Sequence, residues 1–548
     1  MTVTTKPAEI ELQQQAANAL RKLEVLEAVY ETITVRQLVA LRARTHGSAV
    51  AIDVFERGER ATYSEVDRRS NEYAHALRAF GVRKGDRIGV MLPNRIEYPI
   101  LWFAFAKLGA ILVPINTRYT PREIEYVLGD TQARFAIVDE MAWSVFSKMD
   151  PWPQTLPKAQ VIVVGRPSEG VTNLDELLKP ADDGPVEEDV GPDDLLNIQY
   201  TSGTTGFPKG CMLTHDYWGV GSYALACIDT QPYTRYLAWS AFYYVDTLLA
   251  LLRSYRQGGT LYLAERMSSS GFIGWLKKYR IEWCAFPEFV MREPEATDDT
   301  MTSLKQVHHF GGWSAESIRQ FRTRFGVRGQ NNYGMTEVAM ATLMPNDIDH
   351  EGAPFGMRAP FRRLSLVDED GSPTPVGEVG ELWVSGRGIF KGYWRRPDAN
   401  AQSFEGEWFK TGDLMRRDES GFYWLVGRTK DMIRRSGENI AAREIEAVIR
   451  EIPEVADVAA VPVRDAKRGE EVKVFLELKD GVKVDDVSVE RILQHARARL
   501  AAFKVPRYLA FTSALPRTVA SNKVLKRELI NIGDPLSGTY DADEKRWR

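Results

Sequence analysis

Cysteine is scarce in this chain: Cys211, Cys227 and Cys284 are the only three in 548 residues, and no Cys-x-x-Cys pair occurs. That leaves no disulfide framework and no structural zinc cluster, and it suits a reducing compartment. No apolar run reaches the about 18 residues that a spanning helix needs. Residues 1–30, rich in Gln, Ala, Glu and Leu, read as an amphipathic helix after a disordered start, and they lack the apolar core of a secretory signal. A cytoplasmic protein is therefore expected. An excess of positive charge is missing too: 71 Lys and Arg stand against 75 Asp and Glu, for a net charge of −4. This argues against nucleic acid or an anionic membrane as the main partner, so any anionic ligand must be met locally.

What the chain does have is the run Tyr200-Thr-Ser-Gly-Thr-Thr-Gly-Phe-Pro-Lys209-Gly210. A polyphosphate needs many donors brought close together, and backbone N–H groups approach only where side chains are absent. Gly203, Gly206 and Gly210 permit the approach; Thr201, Ser202, Thr204 and Thr205 add hydroxyls, Lys209 a mobile charge, and Pro208 stiffness. Residues 195–200 read as a short buried strand and Leu213 onward as a helix start, which would put the loop where α/β folds bind anions. A flexible Gly/Ser/Thr linker is the alternative, but linkers seldom place Pro-Lys-Gly just before an apolar helix. The Gly-Lys-Ser/Thr of a Walker A loop is absent.

A prior of about 150 residues per domain calls for several modules. Between residues 60 and 300, apolar runs at 88–92, 110–115, 135–138 and 161–164 alternate with helical patterns such as 63–80 and 120–128. That alternation implies parallel sheets covered by helices. From about Arg362 short strands at 364–367, 378–384 and 421–426, separated by Gly and Pro turns, suggest a smaller antiparallel β unit. Residues 443–452, 455–463, 471–478 and 487–500 then read as helix, strand, strand and helix. The expected fold class is α/β: a large domain over 1–429 with helix-covered sheets and the antiparallel unit, then a small mobile α+β domain over 430–548. Gly427-Arg-Thr-Lys-Asp431 is a candidate hinge, and the charged tail from Asp534 is expected to be ordered only if docked.

Asn331-Asn332-Tyr333-Gly334-Met335-Thr336-Glu337 gathers an amide for a purine edge, a ring for its face and a carboxylate suited to Mg2+. Trp408-Phe-Lys-Thr-Gly412-Asp413 ends on an acid able to grip a ribose diol, and Arg428 can share that grip. Together with the Ser/Thr/Gly loop, and from residue 61 to residue 529, these segments resemble the adenylate-forming superfamily of acyl-CoA and aryl-CoA ligases, luciferase and peptide-synthetase adenylation domains.

The resemblance implies that a carboxylate attacks the α-phosphate of ATP, giving an acyl-adenylate and pyrophosphate, after which a thiol displaces AMP. It assigns the β- and γ-phosphates to Thr201, Ser202, Gly203, Thr204, Thr205 and Lys209, the α-phosphate to Thr336 and Mg2+ to Glu337. Adenine would be framed by Gly312, Asn332 and Tyr333, and ribose held by Asp413 and Arg428. Lys430 takes the hinge position, and Gly437, beside Ser436, Glu438 and Asn439, lines the pantetheine channel. Lys523 is the expected adenylation lysine, although Pro516-Arg-Thr-Val-Ala-Ser-Asn522-Lys523 has Asn for the family's Gly and one extra residue. Lys526, a helical turn on, is the solvent-facing alternative.

The family's Pro-x-Phe-His is replaced by Trp239-Ser-Ala-Phe-Tyr243-Tyr244, and none of the seven histidines falls there. Tyr243 or Tyr244 either gates the pocket or packs in the core. With Phe242, Phe286, Phe289, Phe310 and Trp313 they form an aromatic set, which favours a hydrophobic acyl or aryl acid over an ammonium-bearing one. Asp246 keeps the amino-acid reading open, and Trp313 is expected to shorten the pocket. A CoA ligase is favoured; an enzyme loading a carrier protein and a non-catalytic acyl- or nucleotide-binding relative stay open. The implied partners are ATP, Mg2+, coenzyme A and a small carboxylic acid. The sequence is compatible with a homodimer without fixing the oligomeric state.

Overall fold

The computed structural model describes residues 7–548 apart from 167–169, 180, 202–207, 230, 351, 369, 429–431, 485–486, 518–523, 525 and 531–532. Two seven-stranded sheets organise the N-terminal domain. One runs Thr172–Asn173, Val161–Val164, Phe135–Asp139, Arg87–Met91, Ile111–Pro114, Leu195–Thr201, Lys209–Thr214, parallel except for the last pair. The other runs Gly329–Gln330, Gln306–Phe310, Trp283–Pro287, Arg235–Ala238, Thr260–Leu263, Val50–Val54, Glu59–Thr62, again parallel up to one antiparallel edge pair. Phe135–Asp139 is buried at every position, as a parallel strand with both faces covered must be.

Helix starts follow local chemistry. Thr62 and Thr120 each accept a bond from the backbone three residues on, and Glu65 and Glu123 return one, while Pro121 opens its helix where no N–H is needed. Helix Glu97–Leu108 is apolar all round and buried throughout residues 98–108.

One expectation fails at the phosphate loop. Residues 209–214 form a strand paired back onto Leu195–Thr201, with Thr201 opposite Lys209, and the helix begins only at His215. The physical reason is local: Cys211 and Leu213 are buried strand residues, and Thr214 caps the helix by accepting from Tyr217 N. The loop therefore joins two antiparallel strands, and no helix N-terminus directly follows it.

A third, antiparallel sheet comprises Arg362–Val367, Val379–Gly386, Trp408–Arg417, Phe404–Glu405 and Tyr423–Arg428. The C-terminal domain has its own sheet around Val455–Asp465 and Gly469–Leu478, with helices Ala442–Arg450 and Val489–Arg497 on a separate core that includes Ile433, Ile445, Val474 and Leu493. The tail docks on this sheet through Tyr540–Asp541 and Arg546–Trp547, where Asp541 meets Arg507 and Arg548. Among the described residues, no helix is long and apolar enough to cross a membrane.

Candidate active site

One cleft of about 2570 Å³ runs between the sheets and the C-terminal domain. The end expected to hold phosphate is bounded by Thr201 and Lys209; Ser202, Gly203, Thr204 and Thr205 lie outside the described residues. Gly210 is required by packing, because a Cβ there would collide with Ile198 Cγ2. The Lys209 ammonium stands 4.0 Å from the centre of the Tyr393 ring, and the Tyr393 hydroxyl donates to Glu337 Oε1 at 2.8 Å. Residues 390–394 run beside the Lys209–Thr214 strand, with Trp394 N donating to Gly210 O at 2.7 Å and Phe390 N to Glu337 O at 2.8 Å. Burial and the Glu337 charge both push the Tyr393 phenol far up, so it stays a donor. Cys211 behind it is raised by burial and by Glu337, which keeps it an inert thiol. Lys209, Tyr393 and Glu337 thus form a short chain of cation, ring, hydroxyl and carboxylate. Tyr393 was not singled out in the sequence: nothing in the spacing ties it to Lys209.

The end expected to hold the nucleoside is built on the strand Tyr333–Met335. Tyr333 OH donates to Asp413 Oδ2 at 2.5 Å, and Asp413 is buried at the end of a tight turn whose Gly412 N donates to Glu381 Oε1 at 2.8 Å. Asp413 pairs in register with Arg428, whose side chain is outside the described set. Asn332 accepts from Met344 N at 2.9 Å, yet its amide Nδ2 is buried without a partner. A buried orphan donor costs about 1–3 kcal/mol, and a ligand acceptor recovers it. Asn331, by contrast, is fully used in a reciprocal pair with the Trp313 backbone at 2.8 and 2.9 Å. A Cβ on Gly312, which sits at a φ of 79°, would collide with the Phe355 ring. Thr336, Glu337 and Gly312 all line the cleft.

The acyl wall differs from expectation. Tyr243, Tyr244, Trp239 and Phe289 line the cleft, but Phe286 and Trp313 do not. Strand alternation explains Phe286: Trp283, Ala285 and Pro287 face the cleft, while Cys284 and Phe286 face the core behind it. Trp313 stacks on His309 at 4.1 Å and meets Phe286 and Phe321 edge-on, so it does not shorten the pocket. Phe242 is also core, stacked at 5.2 Å on Tyr98. The side chain of Phe310 is not described. Burial pushes the His309 imidazole down to about 3 and His308 well below its ordinary value, so both stay neutral.

The C-terminal domain reaches into this cleft with the turn at Ser436 and Gly437, both left-handed, followed by Glu438. Glu438 accepts from Tyr244 OH and pairs with Arg118. Lys504 bridges Glu444 of its own domain at 2.8 Å and Glu123 of the other at 3.0 Å; burial pulls its ammonium down, but these carboxylates and Tyr119 outweigh that and raise it. Lys430 and Lys523 lie outside the described residues. Around Lys523, Val524 packs in a core of the C-terminal domain and Lys526 pairs with Glu446 at 2.6 Å, both turned away from the cleft lining.

One cleft thus gathers Thr201 and Lys209, Asn332, Tyr333 and Asp413, and the Tyr243–Tyr244 wall, with the Ser436–Gly437 turn of the C-terminal domain at its side. Residues 39–394 match the AMP-binding enzyme family and residues 444–522 its C-terminal domain, so the chain belongs to that family of adenylate-forming acyl-CoA ligases. It is 31% identical to a crotonobetaine/carnitine–CoA ligase of Escherichia coli O7:K1, over 86% of this chain and 93% of the relative. Among solved structures it resembles an o-succinylbenzoate CoA synthetase from Bacillus subtilis, with TM-score 0.78, 26% identity and coverage of 90% and 97%. It also shares the fold of an amide bond synthetase from Marinactinospora thermotolerans, with TM-score 0.79, 24% identity and coverage of 90% and 98%.

Proposed function

We propose that this protein joins a carboxylic acid to coenzyme A in two steps at the one cleft. The carboxylate oxygen attacks the α-phosphorus of ATP and expels pyrophosphate; the thiol of CoA then attacks the acyl carbon and expels AMP. The observation that carries this reading is the continuity of the cleft, which joins Lys209, Tyr393 and Glu337 to Asn332, Tyr333 and Asp413 and admits the Ser436–Gly437 turn. A carboxylate is a poor electrophile, and the mixed anhydride with AMP overcomes that.

In this reading Thr201, Ser202, Gly203, Thr204, Thr205 and Lys209 hold the departing phosphates, and Thr336 orients the α-phosphate. Glu337 suits Mg2+: a buried carboxylate beside phosphate is the donor set that ion takes, with water completing it. When bound, the ion neutralises charge on the phosphates. Tyr393 orients Glu337 by its hydroxyl and is neutral across the working pH range. Asn332 and Tyr333 fix adenine, and Asp413 with Arg428 the ribose. Lys523 bridges the acid and the α-phosphate when residues 430–548 turn about Lys430, and the Gly437 turn replaces it for the thiol step. The polar character of the domain contacts, Arg118–Glu438, Lys504–Glu123 and Arg122–Glu451, favours such exchange. CoA as acceptor is supported by exposed Arg266, Arg464 and Lys467 on the cleft, suited to its nucleotide phosphates.

Pyrophosphate release across a panel of acids, crotonobetaine and carnitine included, with and without CoA, tests the reading. CoA-stimulated release and an acyl-CoA product are expected; transfer to a carrier protein with CoA inert would sink it. Asp413→Asn is expected to raise the KM for ATP about ten- to a hundredfold, the worth of a charged hydrogen bond, with a much smaller change in the KM for the acid. A change confined to the acid KM would remove Asp413 from the ribose site.

A further inference from the structure

Asp246 is the second residue of helix Val245–Gln257 and lines the cleft with Tyr243, Tyr244 and Trp239. Its surface is exposed, yet desolvation pushes its carboxyl above the usual range and no charge offsets this. Both hold when the exposed surface looks into the recess and not into open water. Among the described residues it makes no hydrogen bond and no ion pair. A desolvated carboxylate without a counter-ion is costly. Arg253 on the same helix is buried, but Asp229 takes it at 2.7 Å through both oxygens. His308 and His309 on the back wall are neutral, and Lys209 stands over Tyr393 beside Glu337.

The surroundings suit a cation. Tyr243 and Tyr244 lie with ring centres 4.8 Å apart, and Trp239 is pinned by Nε1 donating to Ala285 O at 2.6 Å. Such rings attract a positive nitrogen through their faces and make few demands on its hydrogen bonding. We propose that the acyl site takes a carboxylic acid bearing a cationic nitrogen, with Asp246 as its counter-ion and Trp239, Tyr243 and Tyr244 as its walls. This rests on the ligase reading for its chemistry and sharpens it to a substrate class. It also reverses the sequence expectation of a purely hydrophobic acid, because Phe286 and Trp313 have left the wall and a carboxylate stands in it.

A competing role for Asp246 is purely structural, since an acid in the first turn complements the helix dipole. The test compares a short enoic acid ending in trimethylammonium with its isostere in which carbon replaces nitrogen. Wild type is expected to prefer the cationic acid in kcat/KM. In Asp246→Asn that preference should fall at least about thirtyfold, as for a charge pair losing one partner; Asp246→Glu should restore part of it. Thermal melting of each variant checks folding. Wild-type preference for the neutral isostere, or an equal loss for both acids in Asp246→Asn, would overturn the proposal. Direct binding of the two acids, measured without turnover, separates the two readings. Asp246-dependent binding of the cationic acid with no pyrophosphate release would sink the ligase reading alone, and turnover of neutral acids only would sink the substrate class alone.

Discussion

Lys523→Ala is expected to lower acyl-adenylate formation about a hundred- to a thousandfold, the range seen when one positioned donor to a developing charge is removed. The attack brings an anionic carboxylate onto an anionic phosphate, so a single ammonium between them changes the barrier more than any contact to the spectator parts of ATP. Thioester formation from supplied acyl-adenylate should fall far less, because in that step the Ser436–Gly437 turn lies in the cleft and the lysine segment has withdrawn. Ser436, Gly437 and Glu438 line the cleft, and Lys526 is held by Glu446. Rapid-quench assays of the two half-reactions separate the effects. An equal loss in both, or a loss from Lys526→Ala in place of Lys523→Ala, would refute the assignment. The irregular spacing before Lys523 makes this more than a formality.

Glu337→Gln is expected to reduce pyrophosphate release about a hundredfold and to raise the Mg2+ concentration for half-maximal rate. The substitution preserves shape and an acceptor for Tyr393, but it removes the charge that pushes up both Tyr393 and Cys211. A residue that only oriented Tyr393 would lose little, since the amide oxygen still accepts the hydroxyl. Mg2+ titration at saturating ATP reads the difference, and an unchanged half-saturation point would exclude Glu337 as the metal-facing group.

Much of the fold was legible because its signals are local. Buried parallel strands such as Val161–Val164 are continuous apolar runs, and helices such as Tyr63–Ala79 announce their starts with Thr and Glu three residues apart. The error at Leu213 came from a segment equally apolar as strand or helix, where only pairing to Leu195–Thr201 decides. Asn332, Tyr333 and Glu337 could be grouped from sequence because they are closely spaced, and all three line the cleft. Tyr393 could not, because its link to Glu337 exists only once residues 390–394 are laid against the Lys209–Thr214 strand. Phe286 and Trp313 misled because aromatic composition is silent on which face of a strand a ring takes. The surroundings of Asp246 were not legible, since a sequence does not show which groups the fold brings to a carboxylate.

In the proposed reaction the acid's own oxygen attacks the α-phosphorus of ATP. An acid labelled with heavy oxygen in its carboxylate, turned over with ATP and CoA, tests it in one mass spectrum. One labelled oxygen is expected in the phosphate of AMP for every acyl-CoA formed, and none in pyrophosphate. Unlabelled AMP, or label in pyrophosphate or free phosphate, would contradict it.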